Sequence, residues 1–120
     1  MSYGKEGYWN VEQLIKEKPR APDEQINWNF IANTKLSTLN IAQIKEGIKL
    51  HVHKEHDEII YFFSGEGEFN LAGRKMKIKP GDITFVPAGT PHGGQMQSCA
   101  LVSIYSPYFD KDNPDRVFVE

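Results

Sequence analysis

Residues 51–63 read His51-Val52-His53-Lys54-Glu55-His56-Asp57-Glu58-Ile59-Ile60-Tyr61-Phe62-Phe63. A single β-branched residue, which favours a strand, separates His51 from His53. Alternate residues of a strand project from the same face, so both imidazoles are expected to point the same way. Glu58 opens a second strand-like run, and a turn at 54–57 would bring its carboxylate back to the same space. Two imidazoles and a carboxylate that converge are typical ligands of a divalent transition metal.

A second cluster of informative residues leads to the fourth histidine, His92. The five residues before it are Pro87-Ala88-Gly89-Thr90-Pro91. Prolines at both ends of a loop reduce the backbone entropy that the loop loses on folding, so this loop can hold His92 in a fixed place. A lone His-x-His pair is more often chance than a ligand pair. The spacing of the residues within both clusters is what supports His51 and His53 as a ligand pair.

The two clusters resemble the two sequence motifs of the cupin family. The first motif has His-x-His, three or four residues, Glu, six residues and Gly, and its counterparts here are His51, His53, Glu58 and Gly65. The second motif has Gly, five residues, Pro-x-Gly, two residues and His, and its counterparts are Gly81, Pro87, Gly89 and His92. Two motif positions differ. Gly47 lies too close to His51 to be the leading glycine of the first motif, and Met96 stands where the second motif ends in asparagine.

The resemblance implies an all-β fold, a small antiparallel jelly-roll β-barrel that holds one divalent transition metal (Fe, Mn, Ni, Co or Zn). It implies the metal ligands His51, His53, Glu58 and His92, which leave open coordination positions. Open positions are typical of catalytic or ligand-exchanging sites. We therefore expect a metal-dependent enzyme that acts on a small polar metabolite, of isomerase, lyase, decarboxylase or dioxygenase type. A non-catalytic small-molecule-binding or sensor protein is the alternative.

Strand parity adds candidates for the wall of the cavity. In the run 100–105, Ser103 and Tyr105 share the more polar face, so we expect both to contact a substrate; a position facing solvent is the alternative. Gln43 is expected to line the cavity unless Asn40, on the opposite parity, does so instead. Tyr105 and then His56 are the candidates for acid–base catalysis, since histidine titrates near neutral pH. A plain loop residue is the other interpretation of His56.

The order of turn signals predicts one domain with a short arm and a tail. Asn10 as N-cap and Pro19 as terminator predict a helix in an N-terminal arm, residues 1–27. Short apolar runs between turn residues predict the barrel over residues 28–106, with a glycine-rich turn at 64–67. The C-terminal tail, residues 107–120, is expected to pack on the barrel or on a dimer partner. Residues 59–63 are apolar on both strand faces, so the helix, the tail or a second subunit is expected to cover the outer face.

Composition argues against several classes of protein. The 120 residues carry a net charge of −2 with interleaved signs, so no basic stripe for nucleic acid is present. No run approaches the roughly 18 apolar residues of a membrane span, and the N-terminus lacks the apolar region of a signal peptide. The only cysteine, Cys99, suits a reducing compartment and is expected to be a packing residue. We expect a cytoplasmic homodimer that binds a small molecule and neither nucleic acid nor membrane.

Overall fold

The computed structural model describes residues 4–119. Within that range one helix precedes eight strands: α1 (Val11–Glu17), β1 (Ile26–Thr34), β2 (Ser37–Ile44), β3 (Gly47–Val52), β4 (Asp57–Leu71), β5 (Arg74–Ile78), β6 (Ile83–Val86), β7 (His92–Ser106) and β8 (Val117–Phe118). The strands pair in the order β1-β2-β7-β3-β8, and β4 pairs with β5, β6 and β7. Every pairing is antiparallel. The predicted all-β, antiparallel fold is confirmed.

Two long strands, β4 and β7, pair with each other along their length and make the most extensive pairing in the sheet. Each has 15 residues, and they pair from Asp57 opposite Ser106 to Leu71 opposite His92. The first part of β7 also pairs with β3, and its second part pairs with β2. In the β3–β7 pairing His51 lies directly opposite His92. Backbone register thus brings together two histidines that are 41 positions apart in the sequence.

The sequence predicts a glycine-rich turn at 64–67. This prediction is wrong, because β4 continues through these residues. The register of β4 against β7 shifts on either side of Ser64, which marks β-bulges. Gly65 has φ of +87°, and a Cβ at this residue would lie 2.6 Å from the Cα of Cys99. Glycine within a strand permits a bulge and a close approach of two backbones as readily as it permits a turn.

The N-terminal helix forms where the sequence predicts it. The Asn10 side chain accepts a hydrogen bond of 3.0 Å from the backbone N–H of Gln13, the expected N-cap contact. At the other end the Lys18 N–H donates to the Leu14 carbonyl, directly before Pro19. No helix within residues 4–119 is long and apolar enough to cross a membrane.

The core lies between the inner faces of the strands. It contains the side chains of Ala42, Ile44, Ile60, Phe62, Phe69, Ile78, Val86, Met96, Cys99 and Leu101. Cys99 is therefore the packing residue that was expected, and burial raises the pKa of its thiol to about 11. Met96, at the position of the motif asparagine, is a core residue as well. A group of buried polar side chains lies beside this core, and it includes all four histidines.

The C-terminal tail packs on its own barrel, one of the two predicted outcomes. Strand β8 joins the sheet by pairing with β3, and the Val119 N–H donates to the Leu50 carbonyl at 2.9 Å. Phe109 is buried, and its ring is stacked on that of Tyr105 with 4.1 Å between the centroids. The tail thereby lies against the same strand that carries His51.

Candidate metal centre

Three histidines form a compact buried cluster. His51 lies on β3, His53 directly follows that strand, and His92 is the first residue of β7. Each ring offers one nitrogen, and these nitrogens all lie within 4.8 Å of one another. The ring centroids are 4.2 to 5.2 Å apart. The structure therefore brings together His51, His53 and the distant His92, as the sequence predicts.

A backbone carbonyl oxygen fixes the orientation of each ring. Nδ1 of His51 lies 2.7 Å from the Lys49 oxygen, and Nδ1 of His92 lies 2.9 Å from the Thr90 oxygen. Nδ1 of His53 lies 2.5 Å from the oxygen of Asp115 in the tail. A carbonyl oxygen only accepts hydrogen bonds, so each Nδ1 carries the proton and donates it. In the neutral ring this leaves Nε2 with a free lone pair, which is the form that binds a metal.

Glu58 completes the cluster from β4. Its Oε1 lies 3.0 Å from Nε2 of His92 and 3.2 Å from Nε2 of His53, and its Oε2 accepts a 2.7 Å hydrogen bond from the Ser103 hydroxyl. Nε2 of His53 is buried and makes no hydrogen bond with any described residue. Lone pairs that face one another in a buried space need a cation between them, either a proton or a metal ion. This donor set therefore fits a divalent metal.

The pKa values within the cluster match this description. Burial alone would raise the pKa of Glu58, but contacts with His53 and His92 outweigh it and hold the pKa at about 2, so the carboxylate is ionised. Burial, followed by the proximity of His92, lowers the pKa of His51 to about 4. His51 is therefore neutral, and available as a ligand, over the whole physiological range of pH.

A small cavity adjoins the cluster. Its volume of about 20 Å³ is enough for roughly one water molecule. Besides His51, Glu58 and His92, its wall includes Trp28, Ile60, Phe69, Leu101, Ser103, Tyr105 and Arg116. Most of this wall is apolar, and the polar groups that reach it converge on the metal cluster.

Tyr105 and Ser103 lie on the cavity wall, on the inner face that strand parity indicated for them. Burial, and then the negative charge of Glu58, raise the pKa of Tyr105, while the charge of Arg116 opposes the rise. The phenol therefore stays protonated at neutral pH and acts as a hydrogen-bond donor. The Ser103 hydroxyl donates to Glu58 and orients its carboxylate.

Gln43 and His56 make contacts outside the cavity. The Gln43 amide accepts from the Arg20 N–H and donates to the Lys18 carbonyl, so it fastens the N-terminal arm, whereas Asn40 is fully buried. His56 has Nδ1 2.8 Å from an Asp115 carboxylate oxygen and Nε2 2.7 Å from the Tyr108 carbonyl, so both nitrogens are engaged with the tail. The predicted roles of Gln43 in substrate binding and of His56 in acid–base chemistry stay predictions.

Two residues of the cavity wall were not among the site residues that the sequence indicated. Trp28 lines the cavity from β1, and Arg116 reaches the same cavity from the tail. The guanidinium carbon of Arg116 lies 5.1 Å from the centroid of the Trp28 ring. The tail sequence has too little periodicity to indicate such a role, and no local signal connects residues 88 positions apart.

Comparison with known proteins agrees with the geometry. Residues 40–105 match the family described as Cupin domain. An uncharacterised protein of Aquifex aeolicus (strain VF5) is 36% identical over 115 residues, which cover 90% of each chain. Quercetin 2,3-dioxygenase of Bacillus subtilis (strain 168) is 42% identical over 53 residues, which cover 44% of this chain and 16% of that protein.

Among solved structures, the nucleoside dehydratase Pac13 of Streptomyces superposes with a TM-score of 0.72 at 19% identity, covering 97% of this chain and 92% of Pac13. At that identity the superposition shows a common fold. The family match spans more than half of the chain and contains all four residues of the metal cluster. This chain therefore belongs to the cupin family.

Proposed function

We propose that the protein holds a divalent transition metal on His51, His53, His92 and Glu58 and binds a small polar metabolite at the open positions of the ion. One observation carries this proposal. Three Nε2 lone pairs and an ionised carboxylate oxygen converge in a buried space, while every Nδ1 is already engaged with a carbonyl oxygen. Imidazole and carboxylate ligands suit Fe(II), Mn(II), Ni(II), Co(II) and Zn(II) alike.

The residues around the cluster would support an enzyme. A bound ion supplies Lewis acidity and a template for an oxygen atom of the ligand. Ser103 orients Glu58, the apolar wall at Ile60 and Phe69 excludes water, and the protonated Tyr105 is placed to donate a hydrogen bond to a ligand in the cavity. These features support the expected metal-dependent enzyme of isomerase, lyase, decarboxylase or dioxygenase type.

A non-catalytic binding or sensor protein is the second candidate, and two observations favour it. The cavity is small, with a volume of about 20 Å³. Among residues 4–119, the one histidine outside the cluster, His56, has both nitrogens engaged with the tail. Of the two residues that the sequence suggests for acid–base catalysis, only Tyr105 therefore lines the cavity. Incubating the metal-loaded protein with a panel of small metabolites and following each by NMR separates the two candidates: an enzyme converts one of them, and a binding protein returns it unchanged.

Metal uptake by a His92→Ala variant tests the proposed centre. Loss of a group that only orients a metal ligand already weakens metal binding by about 10-fold to 100-fold, so removal of a ligand is expected to cost more than about 100-fold. Chelator-treated protein is reloaded with metal, and bound metal is measured by elemental analysis. Gln97→Ala, an exposed change on the same strand, is the matched control and should keep wild-type stoichiometry.

Two results would contradict the proposal. Full stoichiometry in His92→Ala at ordinary metal concentration would show that His92 is not a ligand. Wild-type protein that takes up no metal after reloading would overturn the metal centre as a whole.

A further inference from the structure

Arg116 is held in place by the residues on both sides of it. On one side, the Asp115 carboxylate accepts from the backbone N–H groups of Lys54 (3.0 Å) and Glu55 (2.6 Å), and the Asp115 carbonyl accepts from His53. On the other side, β8 pairs with β3. Arg116 therefore lies between two fixed points, one of which is bonded to a predicted metal ligand. Its entry into the cavity follows from how the tail is fastened.

The guanidinium of Arg116 has no anionic partner in the described part of the chain. It is half-buried against Trp28 and lines the cavity together with Glu58 and Tyr105. Within residues 4–119, no carboxylate oxygen lies within 4.0 Å of it. A partly buried cation without a counter-charge is unfavourable unless something else supplies that charge.

The charges around the cavity do not balance once a metal is bound. A divalent ion and Arg116 are both positive, Glu58 supplies a single negative charge, and the histidine ligands are neutral. The apolar wall of the cavity lowers the local dielectric constant and strengthens the effect of this excess positive charge. A ligand that carries a negative charge would restore the balance. The planar fork of arginine matches a carboxylate through two parallel hydrogen bonds.

We propose that the ligand of this cavity is a small carboxylate that is held between the metal ion and the guanidinium of Arg116. This proposal rests on the proposed metal centre, because the ion supplies the second contact. Tyr105 lies beside both groups and can donate a third hydrogen bond to the same ligand. The cavity of about 20 Å³ is too small for such a molecule as it stands. The long, half-exposed side chain of Arg116 can withdraw toward solvent to admit a ligand and then close over it.

Cobalt-loaded protein provides a test that does not depend on activity. Ligands that enter the coordination sphere of Co(II) change its visible absorption, so acetate, pyruvate and lactate are titrated beside the uncharged acetamide, acetone and 1,2-propanediol. The carboxylates are expected to bind at least about 10-fold more tightly than the uncharged compounds. Arg116→Gln should weaken carboxylate binding by about 10-fold to 100-fold, as expected for a hydrogen bond to a charged group, and should leave binding of the uncharged compounds unchanged.

Two further variants control for structural effects. Arg74→Gln removes an exposed positive charge at the start of β5 and should bind carboxylates as the wild type does. Arg116→Lys keeps the charge but loses the fork, so it should retain cobalt and bind carboxylates with intermediate affinity. If Arg116→Gln also loses cobalt, the Arg116→Lys variant becomes the test of the carboxylate site. Wild-type carboxylate affinity in that variant would overturn the assignment of Arg116 as a carboxylate-binding residue.

The outcomes separate this proposal from the metal centre on which it rests. Cobalt-loaded Arg116→Gln with undiminished carboxylate affinity, or uncharged compounds that bind as tightly as carboxylates, would overturn the carboxylate site alone. Wild-type protein that binds no cobalt would overturn the metal centre, and the carboxylate site with it.

Discussion

At the scale of single residues, the cluster is built from three rings with the same hydrogen-bonding pattern. Each donates Nδ1–H to a carbonyl, and the three carbonyls come from different parts of the chain: Lys49 on β3, Thr90 in the loop before β7, and Asp115 in the tail. Backbone carbonyl groups thus set the tautomer of each ring, and a side-chain substitution at Lys49, Thr90 or Asp115 does not remove these groups. Positions of the backbone, more than other side chains, prepare the three lone pairs for an ion.

The lowered pKa of His51 predicts how the metal-free protein responds to acid. Burial, then His92, lower this pKa from 6.5 to about 4. Between those pH values the unfolded chain binds a proton at His51 that the folded protein does not, so the free energy of unfolding decreases as pH falls from 6.5 to 4. The contribution reaches about 3 kcal/mol at pH 4. Urea unfolding of chelator-treated protein at pH 7, 5.5 and 4.5 measures it.

A His51→Gln variant is the control for this acid response. It should lose less stability over the same interval, because glutamine does not titrate. The pKa of the Glu58 carboxyl is lowered from 4.5 to about 2, so this group changes the free energy of unfolding mainly below pH 4.5. The change in stability between pH 6.5 and 4.5 therefore reports on histidine. An identical decrease in the variant and the wild type would show that His51 does not cause it.

At the scale of elements, the bulges in β4 and β7 compensate each other. Strand β4 has one extra residue between Phe62 and Ser64. Strand β7 has one extra residue between Gln97 and Ala100. The register before and after the bulges is therefore the same. Glu58 stays opposite Tyr105 at one end of the pair, while Leu71 stays opposite His92 at the other. The carboxylate and the third imidazole both depend on this correction of register.

A comparison of two glycines tests the importance of the bulge. Gly65 and Gly73 have nearly equal φ, +87° and +84°, so alanine incurs a similar left-handed backbone cost of about 1–2 kcal/mol at either position. A Cβ at Gly65 would lie 2.6 Å from a Cys99 backbone atom, whereas a Cβ at Gly73 meets nothing within 4 Å. Gly65→Ala is expected to cost about 1–3 kcal/mol more than Gly73→Ala in urea unfolding. Equal costs would mean that the strands separate there without penalty.

At the scale of the whole molecule, an apolar strip of the sheet is exposed in the part of the chain that the structure describes. Helix α1 lies near Phe63, with Ile15 and Pro19 in the same groove, and the tail lies at the end that holds the metal cluster. Neither covers the strip of Tyr61, Ile83, Phe85 and Ile104, whose exposed fractions are 39%, 69%, 58% and 38%. Register places these side chains side by side across β6, β4 and β7. The strip carries no charge, so it suits a second copy of itself.

The predicted homodimer is therefore expected to form through this strip. Phe85→Glu places a charge in the strip and should convert the dimer to a monomer in analytical ultracentrifugation. Leu36→Glu is the matched control, because Leu36 is 68% exposed but lies outside the strip, and it should leave the mass unchanged. A wild-type protein that sediments as a monomer at every concentration would contradict the prediction.

The sequence by itself determined the strand content, the family and the four residues of the candidate metal cluster. These depend on local patterns: His51 and His53 share a face because side chains alternate along a strand, and the spacing of the motifs selects Glu58 and His92. Local patterns failed at Gly65, because a bulge and a turn require the same backbone freedom.

Only the tertiary structure decided which faces point inward and which distant residues meet. Gln43 and Asn40 have opposite parity, and packing of the N-terminal arm, rather than composition, directs the Gln43 amide outward. Asp115 meets His53 across 62 positions of sequence, and Arg116 enters the cavity from a tail without periodicity. Such contacts arise from the closure of the whole chain around its core, and no short segment of sequence contains that information.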